Sequence, residues 1–195
     1  MDRFLYIVLI VAFLFSCINM NDPKSQADYI ECRSKFDESL VKLFPDRLPN
    51  TMLGFGFAAP YEDIPGRLEL TMKYSFERDY VANKAKYVGQ SKHYKKSNDE
   101  CLFLVNQNEV PQSQMCQGFY PIPEEAILES DSGRQAKMKT TDSDVYIIDL
   151  KAGDFLKDNQ KHTRQQLPEN WSHGYSTGVT TNDRYKTIQI WLVVW

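Results

Sequence analysis

The sequence predicts an α+β domain in which one mainly antiparallel sheet is packed by a long N-terminal helix. Three observations carry this expectation. Tyr29, Cys32, Phe36, Leu40 and Leu43 recur at helical spacing. Residues Arg67 to Phe76 alternate, with Leu68, Leu70, Met72, Tyr74 and Phe76 on one side and Glu69, Thr71, Lys73 and Ser75 on the other. Tyr175 to Thr181 and Tyr185 to Trp195 read as two strands joined by a polar turn at Asn182-Asp183. Helical signals come early and strand signals dominate later, which segregates the two kinds of element.

Taken in order, Ser25-Gln26-Ala27-Asp28 resembles a capping box with Asp in place of Glu, and the helix it opens is expected over 26–44, stopped by Pro45. Met52-Leu53-Gly54-Phe55-Gly56-Phe57 lies in a stretch rich in proline and glycine and reads as extended. The alternating strand follows, and Glu77 to His93 reads as a second, weaker helix with Lys84, Lys86, Lys92, Lys95 and Lys96 at and beyond its end. Cys101 to Val105 is a short apolar strand, Pro111 to Pro123 a loop holding Cys116, Glu124 to Glu129 one or two helical turns, and Val145 to Leu150 another strand. In the last strand Ile188, Ile190, Leu192 and Val194 share one face, while Gln189, Trp191, Val193 and Trp195 share the other. A strand apolar on both faces belongs inside a covered sheet.

Composition fits a globular body: 195 residues, net charge −3, 42% hydrophobic and 25% charged. The acidic balance disfavours nucleic acid as a partner. The lysines from Lys84 to Lys96 could attract anionic lipid or polysaccharide, or form a solvated helix end.

The N-terminus is unlike the rest. Phe4 to Phe15 is an unbroken apolar run, shorter than the about 20 residues of a membrane-spanning helix and followed by Ser16-Cys17. Leu14 is too large for ordinary signal cleavage after Ser16, but Leu14-Phe15-Ser16-Cys17 resembles the lipobox of bacterial lipoproteins, although Phe15 stands where a small residue is preferred. That resemblance implies a signal peptide over 1–16, lipidation of Cys17, a tether over 17–24 and a single globular domain over 25–195. Cys32, Cys101 and Cys116 then remain. Either Cys101 and Cys116 form a disulfide, closing a loop of about fifteen residues, or all three are buried thiols.

Chemistry-bearing patterns are sparse. Gly174-Tyr175-Ser176-Thr177-Gly178 matches the Gly-x-Ser-x-Gly nucleophile elbow, yet the elbow needs a helix after the serine, and Val179 onward reads as strand. In that hydrolase fold the triad histidine follows the nucleophile in the chain, and no histidine follows Ser176; a convergent triad in another order has no support in the sequence. His93, His162 and His173 lack metal-ligand spacing, although His162 and His173 could converge with Asp149 or Asp154. Asp142-x-Asp144 is not a calcium loop. No metal and no cofactor are expected. The aromatic crowd Trp171, Tyr175, Trp191 and Trp195, with His173, forms either a binding face for a glycan or protein, or core.

The lipobox, Trp171-Ser172-His173-Gly174-Tyr175-Ser176-x-Gly178 and Trp191-Leu192-Val193-Val194-Trp195 together resemble small uncharacterised lipoproteins of Bacteroides-type bacteria. The resemblance is strongest over about residues 140–195 and includes Asp149-Leu150-Lys151-Ala152-Gly153. It implies an envelope protein, lipid-anchored in the outer membrane and facing either the periplasm or the surface, with no catalytic residues to carry over. The expected role is binding, as an accessory to an envelope assembly. The alternative is an envelope hydrolase using Ser176 and His173.

Overall fold

The computed structural model describes residues 23–59, 66–96, 99, 101–105, 120–123, 126, 128–129, 137–138, 143–156 and 171–195. Cys17, Cys116, His162, Asp142 and residues 1–22 lie outside the described residues. What is described is an α+β fold whose centre is a six-stranded antiparallel sheet.

Helix α1 spans Pro23–Ser34, with Pro23 at the position where a missing N–H costs nothing. The expected long helix over 26–44 is therefore corrected to a short one. It stops because short-range polar groups take over the backbone. The Ser34 hydroxyl donates to the Glu31 carbonyl at 2.7 Å, Lys35 N–H donates to the Cys32 carbonyl, and Asp37 Oδ1 accepts from the Ser39 N–H at 2.8 Å. Leu40, Val41, Phe44 and Leu48 are still buried, but successive turns carry them there. Gln26 fastens the returning chain to α1, its amide donating to the Leu48 carbonyl at 3.0 Å and accepting from the Leu48 N–H at 3.1 Å. Tyr29 also donates to the Pro45 carbonyl at 2.6 Å.

Strand β1 (Met52–Ala58) pairs with β2 (Gly66–Lys73), whose Leu68, Leu70 and Met72 are buried as the alternation predicts. The alternation ends sooner than expected, because Phe76 is 71% exposed at the start of helix α2 (Glu77–Val88). That helix ends five residues before the expected His93. Gly89 and Ser91 turn the chain by donating to the Ala85 and Val88 carbonyls, and His93 opens strand β3 (His93–Lys96).

Strands β4 (Leu102–Leu104) and β5 (Tyr120–Ile122) form a separate parallel pair. Within the helical turn expected at Glu124–Glu129, Ala126 lies in a 3₁₀ turn whose N–H donates to the Pro123 carbonyl, and the expectation fails only at its end. Leu128–Glu129 (β6) instead pairs with Lys137–Met138 (β7). Strands β8 (Ser143–Ala152), β9 (Gly174–Asn182) and β10 (Thr187–Val194) complete the main sheet, in the order β1-β2-β10-β9-β8-β3.

Both faces of the sheet are covered. On one, Ile188, Ile190, Leu192 and Val194 pack with Leu68, Leu70, Tyr29, Phe44, Tyr80 and Tyr87. On the other, Trp191, Val145 and Ile147 pack with Leu102, Leu104, Ile122 and Ala126, and Val193 and Trp195 pack with Val105 and Trp171. The two-sided apolar pattern of β10 is the sequence consequence of this central position.

Candidate functional site

Strand β9 runs unbroken through the whole Gly-x-Ser-x-Gly segment, so the segment is a mid-sheet strand and not an elbow. Its register explains the small residues. Gly178 stands opposite Trp191, Ser176 opposite Val193, and Gly174 exchanges backbone hydrogen bonds with Trp195. A Cβ on Gly178 would stand 2.5 Å from Trp191 Cζ2 and collide with the Tyr146 carbonyl oxygen. One on Gly174 would stand 2.8 Å from both Trp195 Cζ2 and the Lys151 carbonyl oxygen. The alternating glycines leave space that two indole rings fill. Ser176 lies between these seats, fully buried, and its hydroxyl has no hydrogen-bond partner among the described residues.

The expected aromatic binding face is corrected by the same packing. Trp191 and Trp195 are completely buried and Tyr175 nearly so, while Trp171 and His173 are half-buried. Both inner indoles have partners for their N–H groups. Trp191 Nε1 donates to Thr180 Oγ1 at 3.2 Å, and that hydroxyl donates onward to the Ala126 carbonyl at 2.8 Å. Trp195 Nε1 donates to the Trp171 carbonyl at 2.9 Å. Large rings with satisfied polar tips are core residues here.

Tyr175 turns to the other face and joins the polar cluster closest to a site in this structure. Its hydroxyl donates to Asp149 Oδ2, Lys92 Nζ pairs with Asp149 Oδ1, and the Phe155 ring meets the Tyr175 ring edge-on at 4.6 Å. Lys151 Nζ lies 5.9 Å from the centre of the Phe155 ring. Burial pushes the Asp149 carboxyl up, but the hydrogen bonds from Lys92 and Tyr175 outweigh it and hold it below its ordinary value. Burial, then the bond to Asp149, pushes the Tyr175 phenol up to about 12. At neutral pH the cluster is thus a carboxylate held by an ammonium and a neutral phenol, which suits fixing strand ends more than moving protons.

The pattern recurs twice. Asp144 accepts from Lys96 and Tyr94, and Asp183 accepts from Lys84 and Tyr80. Lys95 pairs with Asp99 at 3.3 Å, and Lys86 lies over the Tyr87 ring. The lysine run is therefore tied to carboxylates and rings of the fold, and Lys95 and Lys96 lie on strand β3 and not at a helix end. Asp183 is separated from Lys84 by 99 positions, and no sequence signal joins them.

The His93 ring lies 4.8 Å from the Tyr120 ring, tilted 55° to it, and the His173 carbonyl accepts from the Gly153 N–H. Among the described residues no three His, Cys, Asp or Glu side chains gather as metal ligands, and no helix is long and apolar enough to cross a membrane. Cys101 is disulfide-bonded, and Cys32 is a free thiol that burial pushes above its ordinary pKa. Comparison with family models, curated proteins and solved structures returns no match for this chain.

Proposed function

We propose that the chain is a bacterial envelope protein, anchored in the outer membrane by acyl chains on Cys17, whose body works by binding, as an accessory to an envelope assembly. The observation that carries this reading is the sequence Leu14-Phe15-Ser16-Cys17 directly after the apolar run Phe4 to Phe15. The disulfide at Cys101 supports it, because such bonds persist in oxidising compartments outside the cytoplasm.

Residues 18–22 separate Cys17 from the first residue of α1, so six steps at roughly 3.5 Å each give a reach of at most about 21 Å. An anchored body would ride close to the lipid, and its partners would be membrane-proximal proteins or glycans. Acyl chains supply anchoring at about 0.8 kcal/mol per buried methylene, so the body needs no apolar face for attachment.

Metabolic labelling with a fatty-acid analogue tests the reading. Label should appear on the protein, vanish in Cys17→Ala and leave the variant in the soluble fraction. Label that persists in Cys17→Ala, or a wild type that takes up none, defeats it.

A further inference from the structure

The strands of the main sheet end on two unlike rims. Helix α1 runs beside β1 in the same direction, since Gln26 bonds to Leu48 ahead of the strand, the Tyr29 ring meets Phe55 and the Phe36 ring meets Phe57. The start of α1 therefore lies on the rim where β1 starts. The β2–α2 corner and the β9–β10 turn share that rim: Lys73 N–H donates to the Thr51 carbonyl at 2.8 Å, Tyr74 N–H donates to the Lys186 carbonyl at 3.0 Å, and Lys186 Nζ pairs with Glu77 at 3.3 Å. Exposed apolar side chains gather here. Phe76 is 71% exposed and Tyr185 45%. Among the described residues no large apolar side chain is exposed on the opposite rim, where β1 ends at Ala58 and β9 begins at Gly174. Charge is biased as well. Glu77, Asp79 and Asp183 are paired with Lys186, Arg78 and Lys84, whereas Lys73 and Arg184 meet no carboxylate among the described residues.

We propose that this rim rests in the headgroup layer of a lipid bilayer, with Phe76 and Tyr185 at the interface and Lys73 and Arg184 against lipid phosphates. This orientation rests on the anchoring of Cys17 proposed above, and the anchor fixes the occupant. Pro23 opens α1 on this rim, and the tether from Cys17 reaches at most about 21 Å. The eight residues of β10 make the sheet about 27 Å long at roughly 3.4 Å per residue. Were the opposite rim on the lipid, Pro23 would stand farther from the bilayer than its tether extends. The chemistry agrees with the geometry. Aromatic rings settle at the membrane–water boundary, and cations near the surface are drawn to anionic headgroups. The acyl chains attach the body, and the rim sets how it stands.

The test uses the acylated full chain, reconstituted in phosphatidylcholine vesicles that contain phosphatidylglycerol. A nitrobenzoxadiazole dye is attached through Phe76→Cys, Tyr185→Cys or, on the opposite rim, Lys151→Cys, each in a Cys32→Ser background whose own labelling serves as the blank. Flotation of the vesicles reads attachment separately. On floated protein the dyes at Phe76→Cys and Tyr185→Cys should brighten several-fold and be quenched by doxyl-labelled lipid, while the dye at Lys151→Cys stays dark. A dark dye at either rim position overturns the orientation and leaves the exposed rings to a protein partner; a Lys151→Cys dye as bright as the other two overturns it also. Protein that does not float defeats the anchor, and the orientation with it. Should one rim variant fail to fold, the other decides alone, since both side chains project into solvent.

Discussion

Gly174 and Trp195 exchange both of their backbone hydrogen bonds, each 2.9 Å long, and the Trp195 indole lies where a Gly174 side chain would otherwise start. Four positions along, Gly178 stands in the same relation to Trp191. The segment that looks like a nucleophile motif is thus a pair of aromatic seats separated by a serine.

Gly178→Ala should lower unfolding stability by about 1–3 kcal/mol, since the added methyl overlaps both a ring and a carbonyl oxygen. Ser176→Ala should be neutral or stabilising, because it removes a buried hydroxyl with no described partner. Urea denaturation of the two variants separates them. A loss above about 1 kcal/mol in Ser176→Ala would give that hydroxyl a role that the packing does not.

Thr180→Val should cost about 2–3 kcal/mol, as it strands the Trp191 N–H and the Ala126 carbonyl together. Tryptophan fluorescence of the native variant would report the altered indole environment, and an unchanged denaturation midpoint would contradict the relay.

Alkaline unfolding should set in above pH 10. Burial raises Tyr74, Tyr146 and Tyr175 to about 12 and Tyr29 and Tyr80 further still, whereas tyrosines of the unfolded chain ionise near about 10. The folded state holds these protons more tightly. Its advantage is complete below the unfolded value and is lost as pH rises through the folded ones. Tyrosinate absorbance followed against far-ultraviolet dichroism should show ionisation of the buried set coinciding with unfolding. Their full titration in an intact fold would refute this.

Thiol mapping should alkylate Cys32 in the unfolded, unreduced protein and leave Cys101 unmodified until a reductant is added. Cys101→Ser should cost about 2–4 kcal/mol. Alkylation of Cys101 without reduction would exclude its disulfide.

Lys186 closes the β9–β10 turn with φ 53°, a left-handed conformation that costs a lysine about 1 kcal/mol relative to glycine. Its ammonium also pairs with Glu77 at 3.3 Å, an exposed contact of small value. Lys186→Gly should therefore raise or preserve thermal stability, and a fall of more than about 1 kcal/mol would show the ion pair to be worth more than the strain.

Strands were legible where burial imposes a period on the chain. Leu68, Leu70 and Met72, and the two apolar sets of β10, announce their faces because every second residue must meet a core. The first helix is shorter than its spacing predicts because Phe36, Leu40 and Leu43 keep a helical spacing that turns can also satisfy, while Ser34 and Asp37, which end the helix, look ordinary in sequence. The ionic clusters were illegible for another reason. Asp149 meets Lys92 across 57 positions and Asp144 meets Lys96 across 48, distances set by strand order and not by local spacing. The fate of Trp191 and Trp195 depended on which glycines stand across the ladder, and composition alone cannot show that.

Strand order also dictates when the sheet can exist. During synthesis the β1–β2 ribbon is made early, yet the inner partner of β2 is β10, the last strand of the sheet to leave the ribosome. Until residues 187–194 arrive, the inner hydrogen-bonding edges of β2 and β9 both lack their partner strand. Completion of the sheet is therefore late and non-local. A nascent chain handled in the extended state until its final strand is available is protected during the interval in which it is most prone to pair with a neighbour.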